Sequence, residues 1–249
     1  MNRAEIFVGA NIMKNKNTES RPVVRVIAML LVATLITSGP VMAAKKQEPP
    51  QTTTDGLNLV KKTKTRYVYL ADGAEFDQYT KVMIVECAVA FEKNWQRDYN
   101  RNVVGLDGRV SDKDVTRIKD GLSAEFKKEF TKIMTKNGHE VVTEPASDVL
   151  ILRPAILNLV VNAPDVRSAS MSRTYVADPG QMTLYLELYD SVSSTKLALI
   201  MDAVDVGRVA PSMSYASKVT NVAAADRVLK DWAEELSGHL GEVSTGSGK

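Results

Sequence analysis

From Gln181 to Tyr189 the chain alternates without interruption, Met182, Leu184, Leu186 and Leu188 against Thr183, Tyr185, Glu187 and Tyr189. Successive side chains of a strand point to opposite faces, so an extended strand is what brings those four apolar residues onto one surface. That surface must be covered by other elements while the second face stays half wet, which is the pattern of an antiparallel strand over a one-sided core. Asp190 to Thr195 is polar and turn-forming, and Lys196 to Val206 resumes as a strand. The pair reads as a β-hairpin.

Three further segments read as strands. Arg66–Ala71 carries Tyr67, Val68 and Tyr69, which favour extended backbone. Lys81–Phe91 is mostly apolar and is expected to be central. Asp148–Val161 is a long apolar run interrupted by Arg153, Pro154 and Asn158. A proline has no amide to give a ladder, so this strand is expected to lie at an edge or to be bulged or broken at Pro154. Trp95–Arg109, with its Asp107-Gly108 turn signal, and Asn162–Asp178 read as loops.

Two helices complete the set. Over Ser111–Asn137, Ile118, Leu122, Phe126, Phe130, Ile133 and Met134 recur every three or four residues as one apolar stripe. Lys127, Lys128, Glu129 and Lys132 fall opposite. Ser111 and Asp114 stand where a capping box would place its partners, and Gly138 where a left-handed residue ends a helix. Over Lys218–Leu240, Val222, Leu229, Trp232, Leu236 and Leu240 form a second stripe. The fold class predicted is α+β, a single mainly antiparallel sheet of about five strands packed with two long amphipathic helices.

Arg21 to Ala44 reads as an export signal. Arg21 and Arg25 give a basic start, Val26–Ile36 is apolar, Ser38-Gly39-Pro40 breaks the helix and Val41-Met42-Ala43 offers small residues for cleavage. The apolar run is about half the ~20 residues that a spanning helix needs. Cleavage after Ala43 is therefore the reading, with an uncleaved anchor as the alternative. Lys14 and Lys16 make Met13 the expected translation start. The organisation predicted is a signal over 1–43, a flexible linker over 44–64, one domain over 65–240 and a disordered tail over 241–249. Lys61, Lys62 and Lys64 at the end of the linker, with Arg66 just beyond it, form a small basic cluster, read as solvated. The location expected is the periplasm, or outside the cell, with no stable membrane insertion after cleavage.

Charge and cysteine narrow the function. Residues 1–43 hold five of the 32 basic and two of the 30 acidic residues, so the remainder has 27 against 28 and a net charge of −1. Nucleic-acid binders show a basic footprint, and this one vanishes with the signal. Nucleic acid is excluded as a partner. Cys87 is the single cysteine, so stability is expected from packing and no internal disulfide can form. It lies in an apolar run and reads as a core residue. No cysteine follows the apolar run of the signal, so no lipid anchor is expected there.

No motif announces a reaction. His139 and His239 read as charges at helix ends; no Cys or His pair stands at ligand spacing and no phosphate loop is present, so no metal or cofactor is expected. Asp202 and Asp205, three apart on one strand, should face opposite ways. Arg153 on an apolar strand needs a partner; Glu86 and Glu187 are the candidates, as a buried polar group or as a structural ion pair on the wet face. Trp95, Arg97, Tyr99 and Arg101 interleave aromatic and cationic residues, a candidate surface for a partner or glycan, with packing against the core as the alternative.

In order along the chain, Asp55-Gly56-Leu57, Tyr67-Val68-Tyr69, Tyr79-Thr80-Lys81-Val82, Trp95, Asp148-Val149-Leu150, Asp190-Ser191 and Trp232 resemble the bacterial exported family called domain of unknown function 3313. The likeness runs from about Asp55 to Leu240. It implies an envelope protein group with many lipoprotein members and no assigned activity; the missing cysteine departs from that pattern. The function expected is a non-enzymatic accessory or binding domain acting on an envelope protein or wall polymer. A carrier of a small apolar ligand in a sheet–helix cleft is one alternative, and a hydrolase with an unrecognised site is another. If Trp95 is a contact residue, Trp95→Ala weakens partner capture in a pull-down and leaves thermal unfolding in place. A large fall in Tm with unchanged capture identifies it as packing.

Overall fold

The computed structural model describes residues 48–105, 108–162, 175–176, 180–206, 214–215 and 218–245. The signal over 1–43, the Met13 start and residues 246–249 of the tail lie outside them. The elements are β1 (Asn58–Lys62), β2 (Arg66–Leu70), β3 (Lys81–Ile84), β4 (Ala88–Phe91), α1 (Trp95–Asn102), α2 (Asp112–Lys136), β5 (Glu140–Val141) and β6 (Val149–Val161). They continue as β7 (Tyr175–Val176), β8 (Gly180–Asp190), β9 (Lys196–Asp205), β10 (Ser214–Tyr215) and α3 (Lys218–Thr245).

The alternating segment is β8, and it is the middle of the main sheet, ordered β1-β2-β9-β8-β6-β3-β5 with β4 also on β6. The class is α+β, but the sheet has eight strands and is mixed rather than mainly antiparallel with five. Pairings from β1 through β6 are antiparallel, whereas β3 and β4 both run parallel to β6, and β5 parallel to β3. Parallel neighbours need a long crossover, here supplied by α1, α2 and β5. The strands not expected are β1 and β5, five and two residues long, too brief to show a period; the remaining addition comes from the predicted strand over Lys81–Phe91, which divides into β3 and β4. β7 and β10 form a separate pair; Tyr175–Val176 falls in the segment expected to be loop.

Pro154 is accommodated in an unexpected way. β6 lies inside the sheet and runs through the proline, which pairs with Leu186 on β8. Its neighbour breaks instead. Val85 donates its amide to the Leu152 carbonyl at 3.0 Å, and Pro154, the next residue of β6 facing that way, has no amide to return. The run expected as one central strand over Lys81–Phe91 is therefore split into β3 and β4, close to the sheet's edge. Cys87 is buried at the split, and burial pushes its thiol up to about 12. The bulge of β6 itself comes later, at Asn158, whose φ is 51°.

One face of the sheet carries the main core. Leu150, Leu152 and Ile156 of β6, the four apolar residues of β8 and Ala198 of β9 meet Phe126, Phe130 and Met134 of α2 and Leu229, Trp232 and Leu236 of α3. Ser111 and Asp114 do form a capping box, and Gly138 closes α2 at a φ of 91°. Glu129, expected on the solvated face of α2, is buried and paired by Lys132 at 3.3 Å. α3 runs to Thr245, so residues 241–245 are helix rather than tail.

The second face is partly covered by a segment expected to be linker. Thr53 and Leu57 close a turn with an amide–carbonyl hydrogen bond of 2.8 Å, and Gly56 adopts a φ of 81° at its corner. Leu57, 1% exposed, then packs on Tyr69 of β2 and Leu199 of β9. Domain structure thus begins before residue 58, not at 65.

Leu57→Ala is expected to cost about 2–5 kcal/mol, as a buried leucine would, while Val60→Ala on the exposed side of β1 should change stability by less than about 0.5 kcal/mol; chemical denaturation of the two variants checks the boundary. A second expectation concerns the α2–α3 contact. Asp226 Oδ1 is sealed without a partner, and burial pushes its carboxyl up, assisted by the charge of Glu125 and a hydrogen bond with it; Lys128 opposes and Glu129 adds to the rise. Below about pH 4, the ordinary Asp value, folded and unfolded chains both hold the proton and nothing is lost. Above it the unfolded chain ionises first, so stability falls as pH rises toward the raised folded value and then levels. Asp226→Asn should therefore raise Tm at neutral pH and confer no gain below about pH 4.

Candidate functional site

The alternation of β8 and β9 lays a floor of Leu184, Leu186, Leu188, Ala198 and Ile200, and β2 adds Val68 and Leu70. Against this floor the last part of α3 sets Trp232, Leu236 and Leu240, at helical spacing, on one side of a cleft of about 460 Å³. Phe76 closes part of the wall. Most of the lining is apolar, and among the lining residues there is no hydroxyl or thiol nucleophile.

Charge is gathered at one end. Arg66 and Asp202 are register partners on β2 and β9, and Nη2 donates to Oδ2 at 2.6 Å. The Trp232 indole Nε1 donates to the same Oδ2 at 2.8 Å. Arg66 Nη1 donates to Glu235 Oε1 on α3. Lys61 Nζ stands 4.0 Å and His239 Nε2 3.9 Å from that same oxygen. Burial works against the Arg66 charge, but Asp202 and then Glu235 outweigh it and hold the guanidinium above its ordinary value. Asp202 is 4% exposed, a buried carboxylate that survives because two donors converge on it.

The sequence alone does not reveal this cluster. Arg66 and Lys61 read as part of a solvated basic group and His239 as a residue of the final helical turn, but α3 continues beyond His239, which lines the cleft. The usable signal was Asp202, a carboxylate inside an apolar strand. Its expected separation from Asp205 holds: Asp202 is buried toward α3 and Asp205 is exposed.

The other candidates are placed as follows. Arg153, Glu86 and Glu187 do not form one buried group. Arg153 is 65% exposed at its side chain, Glu86 is exposed in the break between β3 and β4, and Glu187 alone is buried. Glu187 faces the second side of the sheet. Its principal partner is Lys196 at 2.7 Å; Tyr189 donates at 3.0 Å, and Arg153 lies 3.8 Å away. Burial pushes the Glu187 carboxyl up, but those hydrogen bonds and charges more than offset it and hold it below the carboxylate range. Lys196 also binds Asp55 at 2.5 Å, so the group anchors the Leu57 turn.

Trp95, Arg97, Tyr99 and Arg101 lie on α1 rather than in a loop, started by Asn94 at a φ of 65°. Helical spacing separates what looked interleaved. Trp95, 7% exposed, stacks on Phe91 at 4.2 Å with Tyr99 beside it at 5.8 Å. Arg97 and Arg101 point to solvent around Asp98. His139, expected at an exposed helix end, is buried just past α2 with neither ring nitrogen bonded. Among the described residues no group of three or more His, Cys, Asp and Glu is placed to hold a metal ion, and no helix is long and apolar enough to cross a membrane.

A family model described as "Protein of unknown function (DUF3313)" matches residues 54–236. No curated protein matches the chain. Among solved structures, the PelC dodecamer from Paraburkholderia phytofirmans is similar at 11% identity and a TM-score of 0.35, covering 69% of this chain and 97% of that one. A minor lipoprotein from Acinetobacter baumannii is similar at 9% identity and a TM-score of 0.30, with coverages of 66% and 94%. A DUF4136 family protein from Bacteroides thetaiotaomicron is similar at 10% identity and 0.32, with coverages of 72% and 96%. Likeness this distant carries nothing about ligand or assembly.

Proposed function

The chain belongs to the DUF3313 family of proteins of unknown function, and from that footing we propose that it is an exported, non-enzymatic binding domain of the bacterial envelope that holds a small apolar ligand between α3 and the sheet. The observation that carries this reading is the cleft. Its volume of about 460 Å³ falls within the ~300–1,000 Å³ of small-molecule sites, and its mainly apolar lining with a few convergent polar groups is their usual character. The export signal over Arg21–Ala44 supports the periplasm as its compartment.

An accessory role toward an envelope protein or wall polymer has less support. The large apolar side chains exposed among the described residues, Val60, Val85, Val104 and Val192, sit on four separate segments and offer no contiguous patch. A hydrolase would need a nucleophile or a poised acid–base pair, and the cleft's carboxylates are engaged with Arg66 and Trp232 instead.

N-phenyl-1-naphthylamine, an uncharged apolar fluorophore, should bind saturably with increased emission. Val68→Phe, at a half-buried position of the lining, should narrow the cleft and weaken binding about tenfold or more, a loss of about 1.4 kcal/mol, with the unfolding transition intact. Absence of saturable binding to the unaltered protein overturns the reading.

A further inference from the structure

Resting on the cleft as the binding site, we infer that its ligand carries a linear alkyl chain lying along the strands, and that Phe76 sets the longest chain accepted. The floor is laid in register rows across β2, β9 and β8. Ala198 centres the first row, Ile200 the second and Asp202 the third. Rows lie two residues apart on each strand, so four steps of ~3.4 Å make the floor about 14 Å long. The first two rows are wholly apolar, whereas the third carries the Arg66–Asp202 pair under Trp232. A cleft of about 460 Å³ spread over ~14 Å averages roughly 33 Å² in section. That is long and narrow, the shape of an extended hydrocarbon chain.

Beyond the first row stands Phe76, on the loop that leaves β2 after Leu70. Tyr79 ties this loop to the end of β8, its hydroxyl donating to Asp190 Oδ2 at 2.9 Å. Tyr79 also donates its amide to the Phe76 carbonyl at 3.0 Å, and the two rings lie 6.4 Å apart. Because Tyr79 is 3% exposed, the aromatic wall is braced from the core. Phe76 itself is half-buried, so replacing it spares the fold more than replacing a core aromatic would. At the opposite end a longer chain would have to push methylene groups among Arg66, Asp202 and Trp232, which strips solvent and partners from charged groups. Growth of the chain is therefore limited by Phe76.

The test is displacement of N-phenyl-1-naphthylamine by 1-alkanols of six to fourteen carbons, which share one head and differ only in length. Each added carbon should tighten binding by up to about fourfold while it finds apolar surface. An extended chain advances ~1.25 Å per ~1.5 Å bond, so the gain should stop near eleven carbons. In Phe76→Ala the break should move to longer chains, with tetradecanol displacing at a concentration about tenfold lower than from the unaltered protein. In Phe76→Trp the break should move to shorter chains, and octanol should change by less than about twofold in either variant. Tetradecanol unchanged in Phe76→Ala, or a rise without a break to fourteen carbons in the unaltered protein, overturns the inference and leaves the cleft standing. If Phe76→Ala fails to fold, an unshifted break in Phe76→Trp overturns it instead. Failure of the fluorophore itself to bind the unaltered protein overturns the cleft reading.

Discussion

A carboxylate buried under a helix is tolerable only where donors meet it, and Asp202 imposes that condition on three elements at once. It sits on β9, takes its ion pair from β2 and its neutral donor from α3. Removing either donor would leave a charge short of partners in a poorly solvated place, which is costly. The trio therefore sets where the middle of α3 crosses the sheet. Glu235 adds a second tie from α3 to the same arginine. The cleft is a consequence: the polar clamp holds the helix at one end while leucines line the space left between helix and sheet.

The far face obeys the same logic at smaller scale. Leu57 covers Tyr69 and Leu199, and the Asp55–Lys196–Glu187 chain of charges holds its turn in place. Residues that carry the family likeness turn out to be partners of one another or of neighbouring strands. Tyr79 donates to Asp190 at 2.9 Å, Lys81 and Thr80 meet Asp148, and Ser191 ties the hairpin turn to Ala146. Trp95 stacks in the core edge and Trp232 clamps Asp202. The residues that carry the likeness are thus largely structural ties, and among them Val68 and Trp232 also border the cleft.

Periodicity explains which parts of the fold were legible. The hairpin and both long helices repeat their apolar residues often enough to declare a period, and the capping box of Ser111 and Asp114 is local by nature. β1 and β5 are not legible, because five and two residues cannot establish one, whereas the tyrosines of β2 and the apolar run holding β3 and β4 reveal those strands by composition. α1 was hidden because Trp95, Arg97, Tyr99 and Arg101 look interleaved in a line and separate only when wound at 3.6 residues per turn. Pro154 signals a broken ladder in the sequence, but the break falls on the neighbouring strand, since the missing amide is felt by the neighbour that should have received it.

What the sequence determined alone is the local and the compositional: where strands and helices with several repeats lie, that a basic segment over 1–43 precedes a near-neutral remainder, that one thiol leaves stability to packing, and which family the chain resembles. Tertiary structure decided everything that depends on distant residues meeting. It brought Arg66, at the start of the first predicted strand, to Asp202, 136 positions away, and Glu235 to the same guanidinium across 169. It also buried Glu187 while leaving Arg153 in solvent, though both belong to apolar strands. A lone charge in a sequence states only that a partner is needed; the path of the backbone chooses the partner, and with it the place where a cleft can open.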